Sequence, residues 1–218
     1  RRRERHQIAR MLRLFAAILC AALSGAAWAG AQKYEELSAA VRAGLQKEVS
    51  DKAVPFLAFD TVEEARVWLD AMSKKLERRF PDRRTREEFL VTVHYEAKRA
   101  GLDPQLVLGL IQVESAFRKY AVSSAGARGY MQVMPFWIKL SENTQDNLFN
   151  LRTNLRYGCW ILRRYLDMEN GDYYRALGRY NGSLGQPEYP NAVVRAWLSN
   201  WNYTPGPATT TAGAGRSR

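Results

Sequence analysis

Cysteine, histidine and long apolar runs are all scarce in this chain, and each scarcity removes a class of protein. The 218 residues include two cysteines, Cys20 and Cys159, and two histidines, His6 and His94. Cys20 sits in an apolar N-terminal segment, and the Ala17-Ile18-Leu19 before it lacks the small residue that a lipoprotein cleavage site takes ahead of its cysteine. Cys159, between Gly158 and Trp160 in an aromatic helical stretch, reads as a buried thiol. No cysteine pair is left to build a disulfide framework, and no His/Cys spacing suits zinc, so no metal site is expected. The apolar run Leu14–Leu23 is about half of the roughly 20 residues that cross a bilayer, so no stable membrane span is expected. Alternating patterns of useful length are missing too, which argues against a sheet. Acidic residues are absent from Ser115 through Ser141.

What is present is a basic chain with a targeting signal. The 33 Lys+Arg outnumber the 22 Asp+Glu, for a formal net charge of +11. Six Arg and one Glu fall in residues 1–29, so the remainder holds 27 against 21, or +6. Lys74-Lys75, Arg78-Arg79, Arg83-Arg84 and Arg163-Arg164 are scattered without a nucleic-acid motif, so nucleic acid is not expected as a partner. Residues 1–29 have the parts of a signal peptide: a basic start at Arg10–Arg13, the apolar run, and Ala27-Trp28-Ala29 as a small-x-small cleavage site before Gly30. Residues 1–10 precede Met11, a second candidate start. The expected location is the periplasm or cell envelope. A hydrophobic share of 46% with 11% aromatics predicts a packed core.

The periodicity predicts an all-α protein. Residues 30–82 form an N-terminal helical extension. In it Gln32–Ser50 is one amphipathic helix, with Leu37, Val41, Leu45 and Val49 on a face, and Thr61–Phe80 is a second, opened by a Thr61–Glu64 capping box. Residues 83–203 form the main domain. A Thr85–Glu88 capping box opens its first helix, Phe89, Val93 and Ala97 face inward, and Gly101 ends it. Helices follow at Asp103–Lys119, Met134–Leu140, Leu151–Met168, Tyr173–Tyr180, and from Pro190 through Leu198. Residues 204–218, rich in Thr, Gly and Ala, are expected to be a disordered tail.

One residue stands out on the Asp103–Lys119 helix. At helical spacing Val107, Leu110, Ile111, Glu114 and Phe117 share a face, so Glu114 lies inside the stripe that should be buried. A buried carboxylate either takes a cationic partner or stays protonated with a raised pKa, and the second state is what a general acid needs. Most glycosidases flank the scissile bond with two carboxylates, but the stretch after Glu114 offers no second one. It offers Gly126 and Gly129 instead, which let the backbone approach a ligand, and Gln132, which both donates and accepts.

Four motifs in order complete the pattern: Glu114-Ser115, Gly129-Tyr130-Met131-Gln132-Val133-Met134-Pro135, Asn154-Leu155-Arg156-Tyr157-Gly158, and Arg179-Tyr180-Asn181-Gly182. Together they resemble the soluble lytic transglycosylase (SLT) catalytic domain over roughly Thr85–Trp201. Tyr130 and Arg179 depart from the Leu and Ala common in that family. The resemblance implies a lysozyme-like fold and Glu114 as the single catalytic acid and base. It implies that Met131, Gln132, Tyr180 and Asn181 line the sugar groove, with Ser115 orienting and Tyr189 near the groove. It implies peptidoglycan glycan strands as substrate, cleaved between N-acetylmuramic acid and N-acetylglucosamine with formation of an anhydro end, and no cofactor. A goose-type-like lysozyme and a noncatalytic peptidoglycan-binding scaffold are the alternatives. Tyr157 and Trp160 read as packing, and the N-terminal helices offer a surface for an envelope protein partner.

Overall fold

The computed structural model describes residues 32–204, so the expected signal peptide and nearly all of the expected tail lie outside the described residues. Among the described residues there are eight α-helices, a π-helical turn and no strand, in agreement with the all-α reading. They are α1 (Ala39–Val49), α2 (Val62–Leu76), α3 (Arg83–Arg99), α4 (Pro104–Ser115), α5 (Phe136–Leu140), α6 (Leu151–Met168), α7 (Tyr173–Asn181), α8 (Glu188–Arg195) and the π-turn Ala196–Asn200. Two isolated antiparallel bridges, Val122 to Arg128 and Arg128 to Val133, pin the loop between α4 and α5. No described helix is long and apolar enough to cross a membrane.

Local chemistry sets the boundaries, and several differ from expectation. The Thr61–Glu64 capping box forms, with the Glu64 amide donating to the Thr61 hydroxyl at 3.1 Å and the Thr61 amide donating to the Glu64 carboxylate at 3.3 Å. The expected Thr85–Glu88 box does not. Asp82 opens α3 instead, accepting from both the amide and the hydroxyl of Thr85 at 2.7 Å, because a carboxylate one residue outside the helix reaches the free amides first. Helix α1 starts at Ala39 behind Ser38 rather than at Gln32, and residues 32–38 are not helical. Helix α4 stops at Ser115 rather than Lys119 because Ala116 and Phe117 take left-handed φ values of 48° and 63°. Helix α8 begins at Glu188, which puts Pro190 inside its first turn, where a missing amide hydrogen costs nothing.

A single core runs through the whole described chain. Helix α6 packs against α1, α3 and α7, while α4 is held by α3, α8 and the π-turn. Leu45, Trp68 and Met72 of the N-terminal helices are buried in the same cluster as Phe89, Ile111, Leu162 and Tyr165. Each such side chain is worth about 1.5–3 kcal/mol of apolar burial. The N-terminal helices are therefore seated on the main domain, and a polar network fixes their position. Glu96 of α3 is buried and pairs with Arg152 at 3.0 Å, Arg99 at 3.4 Å and Arg156 at 3.5 Å. Two of these arginines also bind backbone of α1, Arg99 at Glu48 O (2.9 Å) and Arg156 at Val49 O (2.6 Å). Asp51, just beyond α1, joins Arg99 at 3.0 Å and Arg152 at 3.1 Å. Its carboxyl is held below the usual range, first by the Ala53 amide and then by Arg99, Tyr95 and Arg152, with burial opposing. Cys159 is buried, and burial pushes its thiol well up.

Candidate active site

Helix α4 delivers Glu114 to the interior. Pro104 occupies its first turn, Asp103 accepts from the Gln105 amide at 2.8 Å, and the second Asp103 oxygen accepts from the Trp197 indole at 3.1 Å. The N-terminus is thus anchored at both oxygens of one side chain. Val107, Leu110 and Ile111 are fully buried, and Glu114 on the same stripe is 3% exposed. Phe117, expected on that stripe, is buried by another route: the left-handed turn swings it against Phe89 and Trp201.

The two oxygens of Glu114 have unlike surroundings. Oε1 accepts a 2.6 Å hydrogen bond from the Tyr189 hydroxyl. Oε2 is buried without a hydrogen-bond partner among the described residues. Burial raises the carboxyl from its ordinary 4.5 to about 8, and the Tyr189 hydrogen bond, which favours the ionised form, only partly opposes this. Among the described residues no charged neighbour contributes, so of the two escapes open to a buried Glu this one takes protonation. The acidic proton belongs on Oε2, since Oε1 already accepts from Tyr189. Tyr180 and Tyr189 are wholly buried beside it, and burial, reinforced by the Glu114 charge, pushes both phenols well above their usual range.

The glycine-led loop is built around Asn154 of α6, a residue whose motif was evident in the sequence but whose role was not. Its side-chain oxygen accepts from the Met131 amide at 2.8 Å, and its amide nitrogen donates to Arg128 O at 2.8 Å and Leu148 O at 2.9 Å. Gly129 is required here on two counts. Its φ is 76°, and a Cβ would lie 2.4 Å from the Asn154 nitrogen and 2.5 Å from Leu148 O. Gly158, on the facing side of α6, lets the Met131 side chain lie flat on the helix, since a Cβ there would meet the sulfur at 2.4 Å. Met131 O in turn accepts from the Tyr180 hydroxyl at 2.8 Å.

Of the residues singled out in the sequence, Glu114 and Tyr189 are in direct contact, and Tyr180 and Met131 join them through the loop. Met131 and Tyr180 are completely buried. Gln132, at φ 49°, donates its side-chain amide to Ala121 O (3.1 Å) and Gly129 O (2.9 Å) and so closes its own loop. Ser115 donates back to Ile111 O at 3.1 Å. Asn181 donates to the Ser183 hydroxyl at 3.1 Å and leaves its own oxygen buried without a partner among the described residues. The two departures from the family pattern have local reasons. Tyr130 is buried edge-on against Phe89, 5.1 Å between ring centres. Arg179 is paired with Glu169 and lies 3.8 Å from Glu35. Among the described residues no group of His, Cys, Asp and Glu is arranged to hold a metal ion. Tyr157 is buried, donating to Asp146 at 2.8 Å, and Trp160 packs edge-on against Trp137.

Fold and site together define an all-α domain built around one buried, protonated carboxylic acid and a glycine-led loop. Residues 92–193 match the family model described as the Transglycosylase SLT domain. These residues form a domain of that family, with its lysozyme-like all-α fold. Similar proteins include a membrane-bound lytic murein transglycosylase C of Mannheimia succiniciproducens, 32% identical over 132 residues that cover 53% of this chain and 35% of that protein. A protein of the same name from Haemophilus influenzae strain PittEE is 46% identical over 114 residues, 45% of this chain and 32% of that protein. The transglycosylase of Enterobacteria phage PRD1 is 35% identical over 111 residues, 48% of this chain and 41% of that protein. The chain thus spans 32% to 41% of the length of these relatives.

Proposed function

We propose that the protein is a peptidoglycan lytic transglycosylase in which Glu114 is the single acid and base. The observation that carries this reading is the protonated Glu114 carboxyl, raised to about 8 by burial alone and touched by a phenol rather than by a second carboxylate. An inverting glycosidase needs a second carboxylate to activate water and a retaining one needs it as nucleophile. A transglycosylase needs neither, because the sugar supplies the nucleophile. The names of the three relatives support the same reading.

In this mechanism Oε2 of Glu114 gives its proton to the glycosidic oxygen between N-acetylmuramic acid and N-acetylglucosamine, and the bond from that oxygen to the anomeric carbon breaks. The substrate acetamido group assists the departure. The Glu114 carboxylate left behind is steadied by the Tyr189 hydroxyl. It then takes the proton of the muramic acid primary hydroxyl, whose oxygen closes on the anomeric carbon to give a 1,6-anhydro end and regenerate the acid. Met131, Gln132 and Asn181 shape the groove, and Tyr180 positions the loop through Met131 O. The basic surplus draws the enzyme to the carboxylate-bearing polymer. Residues 1–29 act as a signal peptide that delivers the mature protein to the periplasm or cell envelope, where the N-terminal helices present a surface to an envelope partner.

Digesting purified peptidoglycan in water enriched in heavy oxygen tests the chemistry. The products are expected to be one water lighter than lysozyme products, without reducing ends and without label. Labelled reducing ends as the main initial product would assign a hydrolase of the goose type, and intact glycan would assign a noncatalytic binding module.

Tyr189→Phe gives a second, quieter test. Loss of the phenol removes the hydrogen bond that favours ionised Glu114, so the carboxyl moves further above about 8. The alkaline limb of the rate profile should shift to higher pH while kcat falls about ten- to a hundred-fold, the worth of one hydrogen bond to a charged group. An unmoved alkaline limb would show that Glu114 does not govern it.

A further inference from the structure

The N-terminal segment just ahead of α1 is tied to the catalytic loop, and nothing in its sequence announced this. Gln32 is buried, and its side-chain amide makes both of its bonds to loop backbone a hundred positions away. The nitrogen donates to Gln132 O at 3.1 Å, and the oxygen accepts from the Met134 amide at 2.9 Å. Two residues on, Tyr34 meets the Phe136 ring edge-on at 5.6 Å between centres. Glu35 lies 3.8 Å from Arg179, the residue before Tyr180, and Leu37 is buried in the core. Residues 32–37 therefore run as a strap over the start of α5 and the end of α7.

The residue the strap holds is a strained one. Gln132 sits at φ 49°, a left-handed conformation that a residue with a side chain adopts only when its surroundings enforce it. Its own side chain fastens the loop on one side, to Ala121 O and Gly129 O, and Gln32 fastens its carbonyl on the other. The loop bears on the acid through the next link, since Met131 O receives the Tyr180 hydroxyl and Tyr180 is buried beside Glu114 and Tyr189. We propose that Gln32 is a positioning residue of the active site: its two hydrogen bonds hold the Gly129–Pro135 loop in the strained geometry that the cleavage reaction uses. The proposal rests on the transglycosylase reading for its rate effect but not for its effect on the loop.

The experiment compares full-length wild type, Gln32→Ala and Gln32→Glu, following cleavage of purified peptidoglycan and amide hydrogen exchange at Met134 and its neighbours. Gln32→Ala removes both bonds, and kcat is expected to fall about ten-fold with KM changed less than three-fold, while exchange at Met134 quickens by a similar factor. Gln32→Glu keeps an oxygen for the Met134 amide but sets a carboxylate oxygen against Gln132 O where the amide donated, so its rate and its exchange should depart from wild type at least as far as those of Gln32→Ala. Unchanged exchange in Gln32→Ala would overturn the strap's hold on the loop. Faster exchange with unchanged kcat would overturn the positioning role. Wild type that cleaves nothing would overturn the transglycosylase reading and leave the exchange result to judge the strap by itself. If Gln32→Ala does not fold, Gln32→Glu decides the matter on the same two readouts.

Discussion

Glu114→Gln is expected to abolish cleavage while the protein still folds and still binds glycan. Glutamine keeps the shape and the acceptor for the Tyr189 hydroxyl but can neither give a proton to the glycosidic oxygen nor take one back. Acid-base participation is typically worth about two to four orders of magnitude in rate, and here one group serves both steps, so the loss belongs at the upper end of that range. The same substitution has a signature in stability. Folded Glu114 titrates near 8 against an ordinary 4.5, so between those values the folded state binds the proton more tightly than the unfolded state. Wild-type stability therefore falls as pH rises through that window, by a few kcal/mol in all, whereas the glutamine variant contributes no such slope. The melting temperature of Glu114→Gln relative to wild type should climb steadily from pH 4.5 to above pH 8. A variant that still clears peptidoglycan at the wild-type rate would move the acid to another residue, and a flat melting difference across the window would remove the raised pKa.

Asn154→Ala is expected to produce the largest structural loss. The side chain is fully buried, and its removal strands the Met131 amide and the Leu148 carbonyl, while the Arg128 carbonyl keeps only the Val133 amide at 3.0 Å. An unsatisfied buried polar group costs about 1–3 kcal/mol, and two that share one cavity, with the third bond lost beside them, give a combined loss of about 3–5 kcal/mol. The melting temperature should drop on the order of 10 °C for a chain of this size. Activity should suffer beyond the fraction unfolded, because Met131 no longer presents its carbonyl squarely to Tyr180. Thermal melts with rates measured well below the transition separate the two effects. A loss under about 1 kcal/mol would show that water replaces the side chain and that the loop is held by other means.

Much of this protein was decided by sequence alone, wherever a property depends on spacing along the chain. Helical periodicity with caps such as Thr61 and Asp103 specifies an all-α chain, and the α4 spacing places Glu114 on a buried stripe before any coordinate is known. The order of four short motifs identifies the domain for the same reason, since each motif is local. Boundaries set by competition between neighbouring caps were less legible: Thr85 looked like a cap until Asp82, closer to the free amides, took the role.

What depends on the meeting of distant segments was left to the tertiary structure. Periodicity can bury Glu114 but cannot say what it meets, and only the packing of α8 against α4 decides that a phenol rather than an arginine reaches Oε1, so that the acid keeps its proton. Asn154 stands in a visible motif, yet its three bonds go to loop backbone 6 to 26 positions away, which has no side-chain signature to match. Gln32 is the extreme case. Leu37 continues the spacing of Val41, Leu45 and Val49 and predicts a helix from Gln32, but two hydrogen bonds across about a hundred residues and the burial of Leu37 hold the segment out of the helix as a strap, because backbone partners offered by a distant loop carry no trace in the local sequence.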